Sequence, residues 1–170
     1  VNSDVLPVFV LAPKLVSSDG AGVGSKVGSG VGSTVGFGVG VGITAQEDWI
    51  VIATGDNVTS EVRLVPADNP TAEPILISPR KEGRQYSVDV RDGTLYIHTN
   101  DDHVNFRVAT ASLAKPDDWK TLIAGSDRHY LTGLSLFKDF FVVEGRVDGL
   151  DQVAIHRYDD PQNGDKIAFK

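Results

Sequence analysis

From Ala45 onward the chain is written in short apolar runs broken by Gly, Asp, Asn and Pro, and no stretch of helix length shows a 3.6-residue apolar period. The pattern predicts strands throughout, and the fold class it predicts is all-β. Trp49–Ala53, Leu95–Thr99 and Phe140–Glu144 are apolar runs, each followed by a polar turn and an alternating strand, namely Glu61–Val65, Asn105–Ala109 and Gln152–Arg157. One hairpin is written three times. Val62-Arg63-Leu64 aligns with Phe106-Arg107-Val108 at an offset of 44, and that triplet aligns with Val153-Ala154-Ile155 at an offset of 47. A strand-built repeat of about 45 residues points to the blades of a β-propeller, each a four-stranded antiparallel sheet.

The middle repeat carries all four strands: Tyr86–Val90, Thr94–Thr99 after the Asp92-Gly93 turn, Asn105–Ala111, and Lys120–Ala124. Asp-Gly between apolar runs is a strong tight-hairpin signal. A continuous run such as Trp49–Ala53 predicts a strand buried on both faces, as in the middle of a blade stacked between two neighbours. The expected division is a Gly/Val-rich segment over residues 1–44, then blades at about 45–84, 85–128 and 129–170. In the first segment, 10 of the 18 glycines lie between Gly20 and Gly42, alternating with valine and serine. Strand glycine weakens pairing and leaves register loosely specified, so this stretch reads either as an irregular segment or as a divergent fourth blade. Three to four blades cannot close a ring of common size, and end blades would expose apolar faces, so the expectation is a larger propeller with a remainder elsewhere. The lack of any Met points the same way.

Charge narrows the partners. A net charge of −7 and a pI near 4.9 argue against nucleic acid and anionic membranes, which would require concentrated Lys and Arg. No run approaches 18 consecutive apolar residues, and Val5–Ala12 is too short and poorly flanked for a signal peptide, so a soluble protein is expected. The absence of Cys removes disulfides, thiolate metal sites and cysteine nucleophiles together.

Catalytic and cofactor motifs fail one after another. A hydrolase serine in Gly-x-Ser-x-Gly needs a sharp strand-to-helix turn, and the nearest approach, Gly133-Leu134-Ser135-Leu136-Phe137, ends in Phe and reads as a strand. His98, His103, His129 and His156 are scattered, and the Asp101-Asp102 turn between the first two suits backbone capping better than a metal. Asp159–Lys170 has Pro161 and Lys170 where a calcium loop needs ligands. Ser25-Lys26-Val27 supplies neither the order nor the helix of a phosphate loop. Asn57-Val58-Thr59 is a sequon that reads as a turn. No catalytic residue, metal or cofactor is therefore expected in this chain.

Several motifs in order do carry a resemblance. Tyr86 to Val108, most specifically Thr99-Asn100-Asp101-Asp102 followed by Asn105-Phe106-Arg107, resembles the propeller of the oligopeptidase B family, in the prolyl oligopeptidase group of serine peptidases. Val39–Ile52, Thr59–Leu64 and Ser78–Gly83 are similar to the same family, and the resemblance covers roughly Phe37 to Asp160. Two departures stand out: Asp89-Val90 replaces an acidic-His pair common in the family, and residues 1–36 align with nothing in it. The resemblance implies a cytoplasmic parent with a seven-bladed propeller covering an α/β-hydrolase catalytic domain that cleaves peptides after Arg or Lys. The propeller would gate access of short basic peptides. The alternative is a stand-alone propeller-like module that binds a peptide or protein.

Asn100, Asp101, Asp102, Asn105 and Arg107 are the residues singled out, as an inter-blade network or a substrate contact. Arg107 is expected to be buried in a strand and paired with a carboxylate. Asp101, at a hairpin tip, is expected to be replaceable by water, so that Arg107→Ala would cost more stability than Asp101→Ala.

Overall fold

A computed structural model describes residues 38–168, so the expectations for residues 1–37 lie outside the described residues. Within them the chain forms twelve strands and no helix. The first sheet holds β1 (Gly38–Ile43), β2 (Trp49–Gly55), β3 (Ser60–Pro66) and β4 (Ile75–Leu76). The second holds β5 (Tyr86–Arg91), β6 (Thr94–Thr99), β7 (Arg107–Ser112) and β8 (Lys115–Ile123). The third holds β9 (His129–Leu136), β10 (Phe140–Val147), β11 (Leu150–Arg157) and β12 (Asp160–Lys166). In each sheet the strands follow chain order and every pair is antiparallel, which makes three consecutive four-stranded propeller blades.

Turn chemistry sets the registers. Asp92 and Gly93 both have positive φ, 49° and 72°, as a tight turn between β5 and β6 demands. Asp148 and Gly149 repeat it at 51° and 83°, so β10 and β11 run beyond the ends read from the apolar pattern and pair from Phe140↔Arg157 to Val147↔Leu150. Between β2 and β3 the Asp56 carboxylate accepts from the Val58 and Thr59 amides at 2.9 and 2.8 Å, closing the loop with a side chain. The blades begin earlier than residue 45: Gly38–Ile43 pairs along β2 from Gly38↔Gly55 to Ile43↔Ile50.

Burial lies between blades. One apolar cluster joins the first and second sheets through Val62, Leu64, Ile77, Tyr86, Val88, Val90, Leu95 and Ile97, with Trp49, Val51 and Trp119 against it. Another joins the second and third through Val108, Leu131, Leu136, Phe141 and Val143, with Tyr96 and Phe106. The strict alternation in β5 sends Tyr86, Val88 and Val90 into the first cluster. Trp49–Ala53, expected to be covered on both faces, is only half-buried along its length. Its Trp49, Val51 and Ala53 face the second blade, while among the described residues no sheet covers the opposite face, where Val39 and Val41 are exposed.

Polar contacts reinforce the stacking. Gln46 and Asp92 bond reciprocally, Nε2 to Oδ1 at 3.0 Å and the Asp92 amide to Oε1 at 2.8 Å, tying the first hairpin turn of one blade to that of the next. Arg91 lies over the Tyr158 ring at 4.1 Å, across the other joint. Asp89 accepts from the Ala45 and Val90 amides at 3.0 and 2.8 Å. Burial raises the pKa of its carboxyl above the usual value, and those two amides only partly oppose the shift. A raised folded-state pKa means that the folded chain holds this proton more tightly than the unfolded one, so charged Asp89 weakens folding at pH above the folded value. Asp89→Asn, which keeps an acceptor, is therefore expected to be at least as stable as the wild type in urea at pH 7. Asp89→Ala is expected to be less stable by about 1 kcal/mol.

Candidate functional site

The first strand of every blade lies on the same side of the molecule, and together these strands wall a trough of about 910 Å³. Gly38–Gly40 of β1, Tyr86 and Ser87 of β5, and Tyr130–Thr132 of β9 form its floor. Its rim at one end is made by residues beside the second-to-third strand connections: Asn57, Phe106 and Asp151. Bare glycine at 40 leaves open space where a side chain would stand, which keeps the floor low. The wall is aromatic on one flank. His98 stacks on Phe106 at 4.6 Å between centroids, and Phe106 meets Tyr130 edge-on at 5.8 Å.

Phe106 has φ 65°, a conformation rare for a bulky side chain. Its amide donates to the His103 carbonyl at 2.9 Å, and Gly125 lets the chain pass, since a Cβ there would lie 2.2 Å from His103 Cβ and 2.9 Å from the Phe106 oxygen. His98 bonds through Nε2 to the Leu131 carbonyl at 3.1 Å. Burial pushes its pKa below the ordinary imidazole value, against the opposing pull of that carbonyl, so the ring is neutral at pH 7.

None of the five residues singled out from the sequence lines the trough; they lie in the loop between β6 and β7 and at the start of β7, beside Phe106, which does. Asn100 accepts from the Gln85 amide at 2.7 Å and donates to the Gly83 carbonyl at 3.0 Å, which fastens the second blade's loop to the linker arriving from the first. Asn105 donates to the Ser126 carbonyl at 2.9 Å, and its own carbonyl accepts from Leu131 at 2.9 Å, which fastens the same loop to the third blade. Asp102 is exposed, and its negative charge adds to the pull of Asp101 that raises the pKa of the Arg107 guanidinium.

Arg107 and Asp101 are each other's partners. Nε and Nη2 of Arg107 donate to the two Asp101 oxygens, both at 2.8 Å, and Nη1 donates to Thr121 Oγ1. The arginine side chain is 8% exposed and the aspartate 19%, which corrects the expectation that water replaces Asp101 at a free tip. The loop folds back because its backbone turns at Thr99, whose Oγ1 accepts from the Asp101 amide at 3.2 Å. Burial by itself would raise the Asp101 pKa. The hydrogen bonds and charge of Arg107, helped by Arg84, outweigh burial and hold the carboxyl below its usual range.

Sequence reading missed Tyr86 as the joint between the first two blades. Its hydroxyl donates to the Ser78 carbonyl at 2.8 Å and accepts from the Val62 amide at 2.9 Å, and its own amide donates to Ser60 Oγ at 2.6 Å. Arg84 sits over the Tyr86 and Trp119 rings at 5.4 and 5.0 Å. The available signal was a tyrosine in an alternating strand opposite a Ser-containing loop, which gives no partner without the fold. Ser135 lies inside β9 opposite Val142, with no turn around it. Among the described residues no His, Asp or Glu group of three could hold a metal.

Comparison with known proteins places these features. The sequence model of the family described as prolyl oligopeptidase, N-terminal β-propeller domain, matches residues 34–169. Dipeptidyl aminopeptidase BI of Pseudoxanthomonas mexicana is 31% identical over 122 residues, which is 70% of this chain and 17% of that protein. Protease 2 of Moraxella lacunata is 26% identical over 105 residues, 62% of this chain and 15% of that one. The structure of oligopeptidase B from Trypanosoma brucei with covalently bound antipain, in a closed form, superposes with a TM-score of 0.74 at 27% identity, covering 78% of this chain and 20% of that chain. The chain thus spans a fifth or less of the length of these relatives.

Proposed function

Because this chain belongs to the family of prolyl oligopeptidase N-terminal β-propeller domains, we propose that it is the non-catalytic gate of a serine oligopeptidase. In this reading the polypeptide also carries an α/β-hydrolase domain, works in the cytoplasm, and hydrolyses short peptides after Arg or Lys. The trough carries the reading. Its volume of about 910 Å³ is that of a site for a small or extended ligand, and its walls are β-strands from three consecutive blades. The chain's own groups do two things there: glycines of β1 keep the floor open, and the aromatic flank offers stacking surfaces, while beside the trough Asn100 and Asn105 bond the second blade's loop to the segments on either side.

The chemistry itself would come from the hydrolase domain, since no serine in the described residues stands on a nucleophile elbow. The test compares this chain with the full-length polypeptide. A fluorophosphonate probe is expected to leave the 170-residue chain unlabelled and to label one serine of the full polypeptide. The full polypeptide is expected to cleave short Arg- and Lys-containing peptides and to spare the same sequences inside a folded protein. Labelling of any serine here, or a full polypeptide that reacts with no probe, would overturn the reading.

A further inference from the structure

The first strand of each blade is an edge strand that borders the trough, and its main-chain groups meet different fates in the three blades. Along β5 the Tyr86 amide donates to Ser60 Oγ at 2.6 Å. Along β9 the Leu131 amide donates to the Asn105 carbonyl at 2.9 Å, and the Leu131 carbonyl meets His98 Nε2 at 3.1 Å. The second and third blades thus close their edges at these points with groups from the blade before. For β1 the direction of each group follows from its register. The Thr44 amide donates to the Trp49 carbonyl at 2.9 Å, so antiparallel alternation assigns the β1–β2 bonds to Gly42↔Val51, Gly40↔Ala53 and Gly38↔Gly55. The amides and carbonyls of Val39 and Val41 point away from β2, and among the described residues no group bonds them.

This edge also lacks the devices that blunt exposed strands. Gly38–Ile43 carries no charge and no proline, and its pairing with β2 runs without a bulge. Its two faces differ. Gly38, Gly40 and Gly42 share the face of Val51 and Ala53, toward the second blade, and a Cβ at Gly40 or Gly42 would meet nothing within 4 Å. Val39 and Val41 stand on the opposite face, 71% and 68% exposed. A strand laid beside β1 would find room for side chains of any size on the glycine face and aliphatic neighbours on the valine face.

We propose that the edge of β1 is a strand-addition site, at which an extended peptide in the trough pairs its main chain with the outward amides and carbonyls of Val39 and Val41. The inference rests on the gate reading above, which puts a peptide in the trough, and adds how the peptide is held. Recognition through the backbone selects a conformation: an extended chain offers free amides and carbonyls, whereas a folded segment has already paired its own. Side chains add a second, weaker selection. Aliphatic residues at every other position meet Val39 and Val41, and the intervening positions, over the glycines, accept any side chain, Arg and Lys included.

The test measures, by fluorescence anisotropy, the binding of a labelled peptide of alternating Val and Lys to the full-length polypeptide after treatment with a fluorophosphonate, so that no hydrolysis intervenes. A single N-methyl group is moved along the peptide. Methylation of amides aimed at β1 is expected to weaken binding about fivefold and methylation of the intervening amides hardly at all, a period of two. Val39→Pro removes the outward amide and keeps the bonds of Gly38, Gly40 and Gly42 to β2, a substitution that an edge strand tolerates. It is expected to weaken binding about fivefold, and Val39→Ala, which keeps the amide, by less. Should Val39→Pro not fold, the N-methyl series on the wild type decides alone. No binding, a methyl effect without the period of two, or wild-type affinity in folded Val39→Pro would overturn the strand-addition site. Binding seen only after residues 1–36 are removed would assign the edge to that segment and overturn it too. If no serine takes the fluorophosphonate, the gate reading falls, while the binding data still decide the pairing.

Discussion

Asp101→Ala is expected to lower stability by about 2 kcal/mol, at least as much as Arg107→Ala, because it removes two charge-assisted hydrogen bonds and strands a buried guanidinium in a half-buried pair. The two single changes differ in what they strand. Asp101→Ala leaves a guanidinium that is 8% exposed, with Thr121 as its remaining side-chain partner, whereas Arg107→Ala leaves a carboxylate 19% exposed that water can reach more easily. The double substitution is expected to cost clearly less than the sum of the singles, since each removes the same interaction. Urea denaturation of the four proteins at pH 7 measures this. Additive losses, or an Asp101→Ala variant with the wild-type midpoint, would mean that the pair does not exist in solution.

The pair also has a pH signature. Asp101 has a folded-state pKa below the unfolded value of about 3.8, so its contribution is fully present above that value and is lost as pH falls through the lower, folded one. Acid titration of the wild type should therefore show a loss below pH about 4 that is shallower in Asp101→Asn.

Tyr86→Ala is expected to cost about 3–5 kcal/mol and Tyr86→Phe about 1–3 kcal/mol, and the gap between them separates ring from hydroxyl. The ring fills the joint between the first two blades against Trp119, edge-on at 5.1 Å, in a site where Tyr86 is buried. The hydroxyl occupies one donor and one acceptor of the neighbouring backbone, so Phe leaves the Val62 amide and the Ser78 carbonyl unpaired where water does not reach. Thermal or urea unfolding of the three proteins checks the order. A Tyr86→Phe variant of wild-type stability would show that the hydroxyl bridge is not formed.

The repeat was legible because blades alternate apolar and polar residues with period two and are separated by turn residues that only some amino acids tolerate. β6 and the β5–β6 turn were read to the residue for that reason: Asp92-Gly93 and the run Thr94–Thr99 state both the turn and the strand. β8 was read from Lys120, yet it starts at Lys115, because Pro116, Asp117 and Asp118 look like a loop and form an exposed outer strand instead. β4, two residues long, and β12, with Pro161, Asn163 and Gly164, carry no strand signal of their own and are held by their neighbours. Gly164 packs so closely on His156 that a Cβ would lie 2.4 Å from the ring, a contact that no local pattern announces.

The network around the β6–β7 loop was legible in its membership and not in its pairing. Arg107 between Phe106 and Val108 states that a charge enters a strand, and so a partner had to exist. Which carboxylate answers depends on how the loop from Asn100 to Phe106 folds back, and that depends on a left-handed Phe106 and on Gly125 in another segment. Propensity offers no reason to place phenylalanine there; tertiary packing imposes it.

Two separate apolar clusters, one on each face of the second sheet, make that sheet the hub through which its neighbours are coupled. Order then propagates along the array like alignment in a short row of magnets, each sheet biased by those beside it. Damage at the joint of Phe141 and Val108 loosens the third sheet while the joint of Tyr86 and Val62 keeps the first in place. A lesion within the second sheet has no such refuge: it severs both joints at once, and the loop network of Asn100 and Asn105, which reaches to both sides from that sheet, goes with it.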